Sequence, residues 1–316
     1  MNRSIKRVAI IGTGVIGASW TALFLAKGLK VAATDPAPGA EDALRQFVDN
    51  AWPALEQLGL APGASRSNLT FTTDLATCVA DAELVQENGP ERIDFKRNLY
   101  RQLDELLLPD VIIASSSSGL TMSEIQTGCP LHPERCVIGH PFNPPHLIPL
   151  VEIVGGAKTS EDTIERARQF YSAIGKRTVR LHKELSGHVA NRLQAAVMRE
   201  VYYLVGEGVL SVADVDTALC WGPGLRWGIM GQVLLNHLGG GEGGMEHFLD
   251  QFTGPVTAWW KALGSPELTP ELRQKLIDGV KAEVGSRSIP ELAEERDRIL
   301  LGLLALRAQP GNSQPA

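Results

Sequence analysis

Cysteine is scarce in this 316-residue chain: Cys78, Cys129, Cys136 and Cys220 lie far apart, with no CxxC spacing. That excludes a disulfide framework and a zinc ribbon, and it suits a reducing, cytoplasmic setting. Long apolar runs are missing too. Nowhere do about eighteen apolar residues follow one another, so no membrane span is expected. There is no basic excess: 30 Lys and Arg face 36 Asp and Glu, a net charge of −6. A nucleic-acid or anionic-membrane partner is therefore not expected. No cluster with metal-ligand spacing is visible, so no metal is expected. No GxSxG elbow occurs, which sets aside a serine hydrolase. In "MNRSIKRVAIIGTGVIGASW" basic residues precede an apolar run, as in an export signal. Glycines break that run, and it reads as a first strand and turn.

What is present is ordinary globular material, 44% hydrophobic and 21% charged, long enough for two domains. Up to about residue 183, short β-rich runs ("RVAIIG", "KVAATD", "LTFTTD", "ELVQEN", "DVIIASS", "CVIGHPF", "LVEIVGG", "TVRLH") alternate with helix-like segments. The helical ones include 18–27, 40–58 and 91–107. That alternation implies an α/β fold, a Rossmann-type doubly wound parallel sheet with helices on both faces. Afterwards the strand signals stop. Val189, Leu193, Val197, Val201 and Leu204 recur about a turn apart, and further helices start at Val212, Met245 and Pro270. The expected organisation is residues 1–186 for the sheet domain, 187–308 for an all-helical C-terminal domain, and 309–316 for a flexible tail. "HLGGGEGGMEHF" reads as a glycine-rich loop, either a connector or a mobile cover over a substrate.

The stretch Gly12-Thr13-Gly14-Val15-Ile16-Gly17 follows an apolar strand and opens a helix. Asp35 closes the next strand, 18 residues after Gly17. That context turns a weak GxGxxG match into a dinucleotide fingerprint. Gly12 permits the turn, Gly14 lets backbone approach a pyrophosphate, and Gly17 lets helix and strand close up; the phosphates meet the positive end of the helix. A carboxylate at Asp35 accepts from a ribose 2′-hydroxyl and repels a 2′-phosphate, so NAD is expected rather than NADP.

Other candidates sit at strand ends, where ligands bind in such sheets. Glu87 ends one strand, with Glu91 and Lys96 close behind. Glu91 reads as well as a solvated acid at a helix start. Ser115 to Ser118 end another strand and suit a small polar ligand; the alternative is a capped loop before a helix. His140 ends a third strand, and Glu152 lies inside the apolar run "LVEIV". A lone buried carboxylate is costly. Paired with one nitrogen of His140, it would fix the tautomer and stabilise imidazolium. The other nitrogen would then take a proton from a substrate hydroxyl, as an alcohol dehydrogenase without a metal requires. Asn191, in "SGHVANR", either donates to a substrate oxygen or is a solvated polar residue.

In order and spacing these motifs resemble the 3-hydroxyacyl-CoA dehydrogenase family across nearly the whole chain. The resemblance implies a catalytic set Ser118, His140, Glu152 and Asn191, with His140 as base, Glu152 orienting it, and Ser118 and Asn191 holding the substrate oxygen. It implies cofactor contacts at Gly12, Gly14, Val15, Ile16, Gly17, Asp35, Glu87 and Lys96, and a helical domain that closes a homodimer. One departure stands out: no lysine occurs between Lys30 and Lys96, where the acyl-CoA enzymes carry a lysine-rich insertion for the CoA phosphates. The segments "TDPAPGAEDAL", "NAWPALEQLGLAPGA", "HPERCVIGHPFNP", "GPGLRWGIMG" and "GGMEHFLDQFTGP" are most similar to the branch that acts on free L-carnitine, with the L-gulonate branch next. For such a substrate Arg226 could pair with the carboxylate, alongside Ser116. Trp221, Trp227, Phe248, Phe252, Trp259 and Trp260 could cage the quaternary ammonium, or simply be helix core. A CoA-ester dehydrogenase and a non-catalytic NAD-binding structural protein remain the alternatives.

Overall fold

The computed structural model describes residues 5–309. The elements run β1 (Arg7–Ile11), α1 (Val15–Ala26), β2 (Lys30–Thr34), α2 (Ala40–Leu58), β3 (Leu69–Thr72), α3 (Leu75–Val79), β4 (Leu84–Glu87), α4 (Ile93–Leu106), β5 (Ile112–Ser115), α5 (Met122–Ile125), β6 (Cys136–Pro141), β7 (Leu150–Gly155), α6 (Glu161–Ala173) and β8 (Arg177–Leu181). Helices α7 (Ala190–Gly206), α8 (Val212–Trp221), α9 (Pro223–Trp227), α10 (Gln232–Gly239), α11 (Gly244–Ala262), α12 (Pro270–Val284) and α13 (Ile289–Ala308) follow. The chain divides into two compact units. The first is Met1–Asn191 with the residues from Ala293 on, and the second is Arg192–Leu292. The division thus falls slightly after the 186/187 boundary expected from sequence, and most of the C-terminal helix belongs to the unit that holds the sheet. Residues 310–316 of the expected tail lie outside the described residues.

In the first unit the eight strands form one sheet in the order β3-β2-β1-β4-β5-β6-β7-β8. Alternation along β1 explains its two faces. Val8 and Ile10 pack with α1, α2 and α6 on one side. Ala9 and Ile11 pack with α3, α4 and α5 on the other. The sheet is not wholly parallel: β6 and β7 pair antiparallel, and β8 follows β7. The short connection between β6 and β7 leaves no room for a crossover helix, so the chain turns back as a hairpin. That reversal sets His140 directly opposite Glu152.

The second unit is all helical, with a small core of Val205, Val212 and Val215. The glycine-rich stretch expected as a loop from His237 to Phe248 is mostly helix. Its glycines turn the chain between α10 and α11, with positive φ at Gly241 and Gly244. The aromatic residues of this unit are not its core: Trp221 is 77% exposed, Trp260 69% and Trp259 60%. Among the described residues no helix is long and apolar enough to cross a membrane.

Candidate active site

The glycine turn is built as a nucleotide turn requires. Gly12 has φ +82, and a Cβ there would meet the Asn88 carbonyl oxygen at 2.8 Å. A Cβ on Gly17 would meet the Gly12 oxygen at 1.9 Å, whereas one on Gly14 would meet nothing within 4 Å. So helix and strand touch at Gly17 while the backbone at Gly14 stays open. Helix α1 starts at Val15 with no side chain capping it, leaving the amides at its first turn for an anion. Asp35 locks the turn: one oxygen accepts from the Thr13 amide at 2.8 Å and the other from the Ala37 amide at 2.9 Å. Glycine turn, open helix start and acid at the second strand end together fit NAD.

Glu87 and Lys96 lie beneath this surface rather than on it, 0% and 1% exposed. Lys96 Nζ reaches both carboxylate oxygens of Glu87, at 2.8 and 2.9 Å. Ser115 Oγ and the Gly89 amide also donate to Glu87, each at 2.6 Å. A buried ion pair is tolerable only when satisfied in this way; removing one partner costs about 3–5 kcal/mol. The pair therefore supports the Asn88–Gly89 loop that closes on Gly12.

The four serines divide. Ser116 Oγ donates to Asn88 Oδ1 at 2.7 Å and accepts from Gln86 Nε2 at 2.9 Å and Trp20 Nε1 at 3.2 Å. One donor and two acceptor positions are thus used, and nothing is left for a substrate. The expectation for Ser116 is corrected: it ties β5 to the Asn88 loop. Ser117 Oγ donates to Glu91 at 2.6 Å. The same Glu91 oxygen accepts from the amides of Gly119 and Leu120 at 2.7 and 3.0 Å. Burial pushes the Glu91 carboxyl up, but these bonds and Lys96 outweigh that and hold it below its ordinary value. Glu91 keeps 44% of its side chain exposed, as a solvated acid would, while its hydrogen bonds shape the serine loop. Only Ser118 is exposed, and its Oγ lies 3.0 Å from His140 Nε2.

His140 and Glu152 are buried, 4% and 1% exposed, with Nδ1 and Oε2 2.9 Å apart. A carboxylate only accepts, so Nδ1 carries the proton and Nε2 presents its lone pair towards Ser118. The other oxygen of Glu152 accepts from the amides of Val189 and Ala190 at 2.8 and 3.0 Å. Burial pushes Glu152 up, yet hydrogen bonds from His140, Ala190 and Val189 prevail and keep it below the usual carboxylate range. Those amides face Glu152 because the chain turns left-handed just before them, at Gly187 (φ 77) and His188 (φ 47). This is the physical content of "SGHVANR". His188 is buried, its ring centroid 4.8 Å from that of His140.

Asn191 closes the first unit in the opening turn of α7, half-buried and with no side-chain hydrogen bond among the described residues. In the second unit, Phe248 and Phe252 stack at 4.8 Å. Trp227 Nε1 donates to Gln232 at 2.5 Å. Among the described residues no ring contact joins Trp221, Trp227, Trp259 or Trp260 to the phenylalanine pair. Arg226 is exposed, with no acid paired to it among the described residues. No metal-binding group of His, Cys, Asp and Glu occurs among them either.

Comparison with known proteins adds a frame. The model of the 3-hydroxyacyl-CoA dehydrogenase NAD-binding domain matches residues 7–185, and that of the C-terminal domain matches 187–279. The chain is 49% identical over 300 residues to an L-carnitine dehydrogenase of a Pseudomonas species, covering 95% of this chain and 93% of that one. The L-carnitine dehydrogenase of Bacillus cereus is 48% identical over 303 residues, with 96% and 93% covered. A solved structure of 5-formyl-3-hydroxy-2-methylpyridine 4-carboxylic acid 5-dehydrogenase, an NAD-dependent dismutase, superposes with a TM-score of 0.82 at 32% identity, covering 95% and 97%.

Proposed function

The chain belongs to the 3-hydroxyacyl-CoA dehydrogenase family, and on that premise we propose that it oxidises the 3-hydroxyl of a small free acid, L-carnitine to 3-dehydrocarnitine, with NAD. One observation carries the chemistry: His140 Nδ1 is tied to a buried carboxylate while Nε2 faces the exposed Ser118 hydroxyl. The nicotinamide of bound NAD supplies the hydride acceptor. The substrate hydroxyl takes the place of Ser118 as donor to Nε2, and His140 takes its proton as the C3–H bond breaks. Glu152 stabilises the imidazolium that forms. Ser118 and Asn191 hold the substrate oxygen.

Two observations favour a free acid over a CoA thioester. The region after β2 holds no lysine, and its arginines are already engaged: Arg45 with Glu41 and Arg66 with Asp49. CoA phosphates would find no free cation there. The dehydrogenases that are 47–49% identical to this chain are named for L-carnitine, and the solved relative is named for a free carboxylic acid. Arg226 is the candidate partner for the carnitine carboxylate, and Trp221, Trp227, Phe248 and Phe252 for its ammonium. The exposed apolar side chains of the second unit support a homodimer.

The test is NADH formation from L-carnitine, D-carnitine, L-gulonate and 3-hydroxybutyryl-CoA, side by side. Turnover of L-carnitine above the others is expected. Preference for the CoA ester would overturn the free-acid reading, and no turnover of any alcohol with NAD still bound would favour a structural role.

A further inference from the structure

His188 was not among the residues that the family resemblance marked out, yet its surroundings single it out. It is 2% exposed. Among the described residues it is the one non-glycine residue with positive φ. That backbone is disfavoured for a residue with a Cβ and persists where surrounding contacts enforce it, often at functional sites. Its Nε2 lies 2.9 Å from the carbonyl oxygen of Ser117. A carbonyl only accepts, so Nε2 carries the proton and donates. Nδ1 is then a bare acceptor, buried and without a partner among the described residues. The ring lies against His140 at 4.8 Å between centroids, tilted by 50°.

We propose that His188 is a positioning residue for the hydroxyl-oxidising site: its Nε2–H fixes the Ser117–Ser118 peptide while its ring braces His140. The two groups that a substrate hydroxyl meets, Ser118 Oγ and His140 Nε2, are thereby held by one side chain. This rests on the reading of His140 as the base. The single proton on the ring is essential, because a doubly protonated His188 would place a cation against His140. Burial lowers the affinity of His188 for a second proton, and a charge on His140 adds to that; the Ser117 carbonyl, Glu152 and Glu91 pull the other way without reversing it. The left-handed turn at His188 also aims the Val189 and Ala190 amides at Glu152. So the same residue anchors Ser118, His140 and Glu152, three of the four members of the set.

Three variants and one spectrum test this. His188→Phe keeps a ring against His140 but loses the donor. His188→Asn keeps a donor and tolerates the left-handed backbone. His188→Gly relieves the backbone and removes both contacts. A misplacement of reacting groups by about an ångström costs roughly 100-fold in rate. We expect kcat with L-carnitine to fall about that much in the Phe and Gly variants, with KM for NAD unchanged, and His188→Asn to recover at least tenfold of it. His188→Phe turning over like wild type, or Asn no better than Phe, would overturn the proposal. Imidazole ¹H–¹⁵N spectra of the wild-type chain provide a readout independent of turnover. They should contain a neutral Nε2–H histidine that disappears in all three variants. An Nδ1–H tautomer, or a doubly protonated ring at neutral pH, would contradict the assignment even if a variant failed to fold. If L-carnitine is not a substrate at all, the spectrum still decides the role of His188 while the function fails separately.

Discussion

Replacing Glu152 by Gln changes almost no volume, so its effect isolates the carboxylate. Glu152 receives three donors: His140 Nδ1 at 2.9 Å, the Val189 amide at 2.8 Å and the Ala190 amide at 3.0 Å. A carboxamide has one accepting oxygen and one donating nitrogen. If the oxygen stays on the two amides, its NH₂ faces the Nδ1 proton. If it turns over, its NH₂ faces the two amides. No orientation satisfies all three, and the cheaper escape is for His140 to move its proton to Nε2. That tautomer cannot accept from a substrate hydroxyl. The lost charge-assisted hydrogen bond is worth about 1.5–3 kcal/mol, or roughly 10- to 150-fold in rate at 1.36 kcal/mol per tenfold. The wrong tautomer takes the loss further into the range of about 10²–10⁴ attributed to general bases. The assay is kcat with L-carnitine by NADH absorbance, beside a titration of NAD binding. NAD affinity should hold, because Glu152 touches none of the glycine turn. A kcat within about fivefold of wild type, with NAD still bound, would refute the reasoning.

Three further outcomes follow from other parts of the first unit. Asp35→Ala removes the carboxylate that holds Thr13 and that, on the proposed reading, accepts from the ribose of NAD; the ratio of kcat/KM for NAD over NADP should fall at least about tenfold, and an unchanged ratio would show that Asp35 does not discriminate. Gly17→Ala forces a Cβ to 1.9 Å from the Gly12 oxygen, whereas Gly14→Ala meets no atom within 4 Å; the first should lower Tm and abolish NAD binding, the second should weaken NAD binding with Tm nearly unchanged. Burial, with Lys27 adding like charge, pulls Lys176 from 10.5 down to about 7. Above that value the unfolded chain binds more protons than the folded one, so stability should rise from pH 7 to 9 by up to about 1.4 kcal/mol per unit. Above pH 9 the buried Cys78 thiol, pushed up to about 12 by burial and Asp74, contributes the opposite slope and offsets the rise. Lys176→Met should flatten the rise in urea unfolding series at each pH, and an equally steep rise in that variant would refute the assignment.

The site was legible in the sequence where a residue contradicts its surroundings. Glu152 in an apolar strand demanded a partner, and the antiparallel register supplies His140. The glycine turn was legible because its three glycines face three different steric demands in one short stretch. Ser116 was misread because a hydroxyl at a strand end looks the same whether it meets a ligand or Trp20, Gln86 and Asn88. His188 was missed for a related reason: its hydrogen-bond partner is a backbone carbonyl, which leaves no trace in residue type. The reversal of β7 was hidden because an eight-residue, proline-rich connection is read by length, not by apolar pattern. The aromatic residues of the second unit were the least legible. Their spacing suggests core, while the structure leaves most of them exposed.

The central claim is that the hydrogen on C3 of a free hydroxy acid passes to NAD while His140 takes the hydroxyl proton. Following L-carnitine deuterated at C3 into NADH by mass spectrometry tests it most directly. The account predicts one deuterium in each NADH formed, and loss of both label transfer and turnover in His140→Ala with NAD still bound. NADH formed without deuterium, or His140→Ala turning over at the wild-type rate, would contradict it.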